Sequence, residues 1–130
     1  MRFANSQIGT ATVRYNITAV DGISKFCPAT QSVVSVRFRN SDATSAHSRV
    51  KFDIHRTNIL TGGNVVIFTF DSNGTSTGSA FGTLMIAPSI DFDFANNIYW
   101  IEATIFRDDI GQFADLGAIE IYESAGTLCP

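Results

Sequence analysis

Charge is scarce in this chain. Charged residues make up 16% of its 130 positions, below the roughly one quarter usual for soluble domains. Only Lys25 and Lys51 are lysines, and the net charge is −3 at pH 7. A general phosphate-backbone binder needs a basic stripe, so nucleic acid is set aside as a partner. Long apolar runs are also missing. None approaches the ~20 residues of a membrane-crossing helix, so membrane insertion is not expected. The first residues, Met1-Arg2-Phe3-Ala4-Asn5-Ser6, lack the apolar stretch of a secretory leader. Either the natural chain starts here, or Met1 stands where a leader was replaced. No segment shows a 3.6-residue apolar period, so no significant helix is expected.

Cysteine is rare too. Cys27 and Cys129, each followed by proline, are the only two. A disulfide between them would close a loop of about 100 residues, for which the chain-entropy model assigns roughly 4.7 kcal/mol at most. Two unconnected small hydrophobes, or an intermolecular bond through Cys129, are the other readings.

Catalytic signatures are lacking. There is no G-x-S-x-G elbow to select a triad from the many Ser and Asp residues. His47 and His55 have no Cys or carboxylate at zinc-ligand spacing. Asp71-Ser72-Asn73-Gly74 starts like a calcium loop, but Gly74 is fourth rather than sixth and position twelve is Gly82 rather than Glu, so it reads as a hairpin turn. Glu102 and Glu120 are outward strand carboxylates, read as surface rather than as a glycosidase pair. Asn16 and Asn73 match the glycosylation pattern, which carries no meaning for a chain folded in the cytosol.

What is present is strand patterning. Eleven phenylalanines with abundant Thr, Val and Ile suit pleated, half-buried surfaces. The most sustained alternation of the C-terminal half runs from Asn97 to Arg107. Tyr99, Ile101, Ala103 and Ile105 share one side; Trp100, Glu102, Thr104 and Phe106 share the other. This predicts a central strand with one face on a core. Ile8–Val20, Ser32–Asn40 and Arg49–Arg56 alternate in the same way. Val65–Asp71 is apolar on both sides, which predicts cover on both faces or an interface. Thr83–Ala87, Ile90–Phe94 and Leu116–Glu123 complete the strands, with a short piece expected within 23–32, and the Gly/Ser/Thr-rich Thr75–Gly82 is an edge or a mobile loop. The expectation is a single domain over residues 1–130, with 1–7 a loose arm. The predicted class is all-β: an antiparallel β-sandwich, jelly-roll-like, of eight or nine strands.

Three stretches taken together resemble a loosely defined group of bacterial extracellular β-sandwich domains of unknown function. They are Val33–Ala43, where a strand ends in Asn-Ser-Asp-Ala; Val50–Arg56; and the closing pair Tyr99–Thr104 with Gly117–Tyr122. The N-terminal third departs from that pattern. The resemblance implies the sandwich fold and a non-enzymatic role, and carries no catalytic residues.

Two surfaces are candidates for function. Trp100, Phe106 and Tyr122 lie opposite the core-facing residues of their strands. With Val65 and Ile67 they form an expected interface or ligand platform, since aromatics are enriched at subunit contacts. A second core layer beneath loops is the structural reading of the same residues. Asp91 and Asp93, ~7 Å apart on a strand face, could flank a calcium ion if Asp108 or Asp109 approached. Otherwise they form a solvated face that discourages edge pairing. The expected function is a non-enzymatic structural or assembly protein, a homo-oligomeric subunit of the surface, fibre or virion-decoration type. The alternative is an extracellular carbohydrate-binding module, calcium-assisted or not. Self-association and a glycan are the expected partners, no cofactor beyond calcium is expected, and the location is extracellular or on a virion or cell surface.

Overall fold

The computed structural model describes residues 1–4, 7–18, 32–88 and 90–123. Among them are seven strands: β1 (Gly9–Ile17), β2 (Ser32–Asn40), β3 (Ser48–Asn58), β4 (Asn64–Asp71), β5 (Gly82–Ile86), β6 (Asn97–Arg107) and β7 (Ala114–Glu123). They form a four-stranded sheet, β1-β6-β3-β4, and a three-stranded sheet, β5-β2-β7. Every neighbouring pair is antiparallel. The connections β2 to β3 and β6 to β7 both cross between sheets, so β3 lies beside β6 while β2 lies beside β7.

One apolar cluster joins the two sheets. Val34, Val36 and Phe38 of β2 meet Val50, Phe52 and Ile54 of β3 and Ile101, Ala103 and Ile105 of β6. The period-two pattern places these residues on facing sides, and each fully buried Val, Ile or Phe contributes roughly 1.5–3 kcal/mol relative to exposure. Phe70 fixes the packing between layers. Its ring lies edge-on to Phe38 at 5.1 Å and stacks on Phe52 at 5.2 Å. β6 is central in the four-stranded sheet, as its sustained alternation predicts.

The strands differ from expectation at several places. Ile90–Phe94 is not a strand. Ile90 and Phe92 are nonetheless buried, because Ser32 Oγ accepts the Ile90 N–H at 3.1 Å and Phe92 packs edge-on to Tyr99 at 4.8 Å. Their alternation thus records one-sided burial of an irregular segment. Of the two readings of 75–82, residues 75–81 take the loop: Thr77 pins them to β2 by exchanging hydrogen bonds with Asn40. The expected strand within 23–32 lies outside the described residues apart from Ser32, which opens β2. The two apolar faces of Val65–Asp71 come from a bulge. Ile54 pairs with Phe68 but His55 with Val66, leaving Ile67 as the extra residue. Ile67 turns onto the core while Val66 faces outward, so a break in alternation, rather than cover on both faces, explains the pattern.

The described part of the N-terminal arm is docked rather than loose. Met1 and Phe3 pack on the core. Leu116 N–H donates to Met1 O at 2.8 Å, and the Arg107 guanidinium donates to the carbonyls of Ala4 and Gln7, each at 2.7 Å.

Candidate functional site

The outer face of the four-stranded sheet is organised by its registers. Across the strands β1-β6-β3-β4, one row is Thr12–Thr104–Lys51–Asp71, the next Arg14–Glu102–Asp53–Thr69, and the next Asn16–Trp100–His55–Val66. The first two rows are polar and matched. Thr12 and Thr104 hydroxyls are 3.1 Å apart. Arg14 Nε donates to Glu102 at 2.7 Å, Thr69 donates to Asp53 at 2.6 Å, and Lys51 pairs with Asp53 at 3.2 Å. Arg49 makes a two-pronged contact with Asp71. The Arg49 hydrogen bond holds the Asp71 carboxyl below the usual carboxylate range, and the same bond raises Arg49. Each exposed pair adds little alone, but cross-strand matching of this kind fixes register.

The third row is different. The His55 imidazole stacks on the Trp100 indole at 3.8 Å and 5° between planes. The Arg14 guanidinium lies over the same indole, 5.3 Å from its centroid. Trp100 Nε1 donates to Thr57 Oγ1 at 3.3 Å. Trp100 is therefore covered by side chains of its own face, from β3 and from β1. A stacking platform for a sugar requires an open ring face, and this indole is already stacked.

Beyond that row the surface becomes aliphatic. Ile98, on the same outward side as Trp100, is 56% exposed and Val66 is 52%. The β3–β4 turn adds Ile59 at 55% and Leu60 at 88%. This tip is tightly held. Asn58 Oδ1 accepts from the N–H groups of Leu60 and Thr61, both at 3.0 Å, and from the Thr61 hydroxyl at 3.2 Å. Asn58 and Gly62–Gly63 exchange two backbone bonds of 2.9 Å, and Ile59 N–H donates to Asn96 O at 2.9 Å. Gly62 has φ +70°, a conformation that L side chains rarely adopt. Exposed aliphatics on an ordered turn lose little conformational entropy when a partner covers them.

The expected platform is thus divided. Trp100 belongs to the aliphatic end, whereas Val65 pairs with Arg56 in the row of the buried Tyr99, on the other side of the sheet. Phe106 lies six residues from Trp100 along β6, about 20 Å away, in a row with Thr10 and Arg49. Tyr122 is on the other sheet, where its hydroxyl meets Met85 Sδ at 3.3 Å. The joint face required both β6 and β7 to be central in one sheet, but β7 is an edge strand of the second. Glu102 and Glu120 are separated in the same way. Ile67 points to the core.

The aspartates are not brought together as a cation site. Asp93 accepts from Ala95 N–H at 3.1 Å and Asn96 Nδ2 at 2.8 Å, shaping the turn into β6. Asp108 instead meets His47 Nδ1 at 2.9 Å, and that bond raises the His47 pKa. Among the described residues no three His, Cys, Asp or Glu side chains converge. Cys27 and Cys129 lie outside the described residues.

Sequence reading missed Ile59, Leu60, Ile98 and the His55–Trp100 stack. The available signal was Ile-Leu after Asn58, at a hairpin tip where polar residues are usual. No signal marked the stack, because it depends on β3–β6 register. Among the described residues the fold is all-β, two antiparallel sheets of four and three strands. No family model, curated protein or solved structure matches the chain.

Proposed function

We propose that this protein is a non-enzymatic β-sandwich subunit that works by assembling with further copies of itself, as surface, fibre or virion-decoration components do. The observation that carries the reading is the rigid aliphatic end: Ile59, Leu60, Val66 and Ile98 exposed beside Trp100 on a face otherwise matched by ion pairs. Central apolar anchors ringed by polar contacts supply most of the energy of protein interfaces. The covered indole argues for a protein contact here in preference to a sugar. The proposal includes a jelly-roll-like sandwich of eight or nine strands and an extracellular or particle-surface location, as the resemblance to bacterial extracellular sandwich domains implies; five of the six connections between the described strands pass from one sheet to the other, which supports the sandwich.

Sedimentation velocity on the full chain across the micromolar range tests this. The expected result is a concentration-dependent oligomer that Leu60→Asp weakens without loss of the β circular-dichroism signal. A clean monomer throughout would sink it.

A further inference from the structure

Each sheet edge presents backbone N–H and C=O groups to pairing unless something blocks it. Three of the four edges here are blocked. β4 carries the Ile67 bulge. β5 has only five residues. β7 has its register shifted at Gly117 and its Leu116 backbone bonded to Met1. β1 has none of these devices. Its nine residues pair with β6 in unbroken register, it contains no proline, and its one charge, Arg14, is matched by Glu102. Among the described residues no strand pairs with its outer edge.

Among the described residues the inner face of β1 is only partly covered: Ala11 and Ile17 pack against the core, and Val13 and Tyr15 between them do not. β7 approaches β6 and β3 but not β1. Val13 and Tyr15 therefore stay 37% and 42% exposed although they point to the core side. Tyr15 borders an open cleft of about 440 Å³ that Ile17, Ile101, Leu116, Ile119 and Ile121 also line.

We infer that β1 pairs antiparallel with β1 of a second copy about a two-fold axis at Val13, joining the two four-stranded sheets into one. This rests on the assembly reading above and names the contact. The strand is self-complementary in that register. Ala11 faces the second copy's Tyr15, a small residue against a large one, and Thr12 faces its Arg14. A register centred on Arg14 would oppose two guanidinium groups, which is unfavourable. Centring on Val13 alone uses the whole strand from Gly9 to Ile17. The two-fold sets both inner faces on one side, so Val13 and Tyr15 of both copies cover each other over the joined clefts. A contact about 30 Å long and one strand deep is small, so the dimer is weak, of micromolar order. Combined with the separate aliphatic end, it gives two contacts per subunit, enough for an extended array.

The test is amide hydrogen exchange by NMR on the full chain at several concentrations, beside sedimentation. Alternate amides of residues 9–17, those directed away from β6, become protected as concentration rises, while β4 amides do not. Thr12→Arg opposes Arg14 at two symmetric positions and weakens the dimer roughly tenfold. Val13→Lys opposes two ammonium groups at the axis and acts in the same direction. Self-association with protection elsewhere, or undiminished in both folded variants, overturns the β1 pairing and leaves the assembly reading standing. A monomer at every concentration overturns both. Should either variant unfold, the exchange pattern of the unaltered chain still decides.

Discussion

Replacing Asn40 with alanine probes whether buried polar matching holds the loops at one end of the sandwich. Asn40 is fully buried at the end of β2. Its Nδ2 donates to the carbonyls of Asp42 at 2.7 Å and Thr75 at 3.0 Å, and its Oδ1 accepts from Ser48 Oγ at 2.7 Å. One side chain thus ties the β2–β3 loop, the start of β3 and the loop before β5. Alanine removes all three bonds and leaves two carbonyls and a hydroxyl seeking partners. At ~1 kcal/mol net for each bond, with more for any group that water cannot reach, the loss is about 3 kcal/mol. For a domain of this size that lowers Tm by roughly 10 °C. Asn40→Asp has nearly the same shape but cannot donate, and it sets a carboxylate against two carbonyl oxygens. It should therefore cost at least as much as alanine at neutral pH, and recover as acid protonates it. Urea unfolding followed by circular dichroism measures both, with an unchanged m-value confirming that the same transition is compared. Losses under ~1 kcal/mol in both variants would refute the claim that this network holds the loops.

Other outcomes follow from the same geometry. Phe52→Ala, in a fully buried site between Phe68 and Phe70, should cost about 3–5 kcal/mol in the same unfolding assay. His55→Ala should uncover one face of Trp100, the only tryptophan, and shift its emission to the red; an unchanged spectrum would deny the stack. NMR titration should place His47 above the ordinary ~6.5, because Asp108 hydrogen-bonds it, and Asp108→Asn should bring it down. Since the folded value is the raised one, the pair's contribution to stability is complete below the unfolded pKa and fades as pH rises through the folded value. The Arg49–Asp71 pair runs the other way. The depressed Asp71 pKa makes its contribution complete above ~3.9 and lost as pH falls through the lower folded value, so Arg49→Gln should flatten that part of the acid-unfolding profile.

The strands and their core faces were legible in the residue pattern. Val34, Val36 and Phe38, then Val50, Phe52 and Ile54, then Tyr99, Ile101, Ala103 and Ile105 all alternate, and all are buried. A period of two tells which side of a strand is apolar, whatever the strand's neighbours are. It does not tell which strands are neighbours. Nothing local distinguished β7 as part of a different sheet from β6, so Tyr122 was grouped with Trp100 although the fold separates them. Nor could it show that Ile67 sits in a bulge, because a bulge is defined by the partner strand's register. The cover over Trp100 needed His55 opposite it on β3 and Arg14 diagonal to it on β1, residues 45 and 86 positions earlier in the chain.

The same division holds for the contact surfaces. Local chemistry determined that β1 is a regular strand without proline or bulge-forming glycine in its interior, and that Gly62-Gly63 marks a hairpin connection after β3. Only the tertiary structure decided that, among the described strands, β1 is an edge strand that the second sheet does not approach, and that the Ile59–Leu60 tip follows the strand end beside Ile98 and Val66. Side-chain alternation is a property of one strand and is written in its own residues. Exposure is a property of what lies alongside, and that is set by pairings across most of the chain's length.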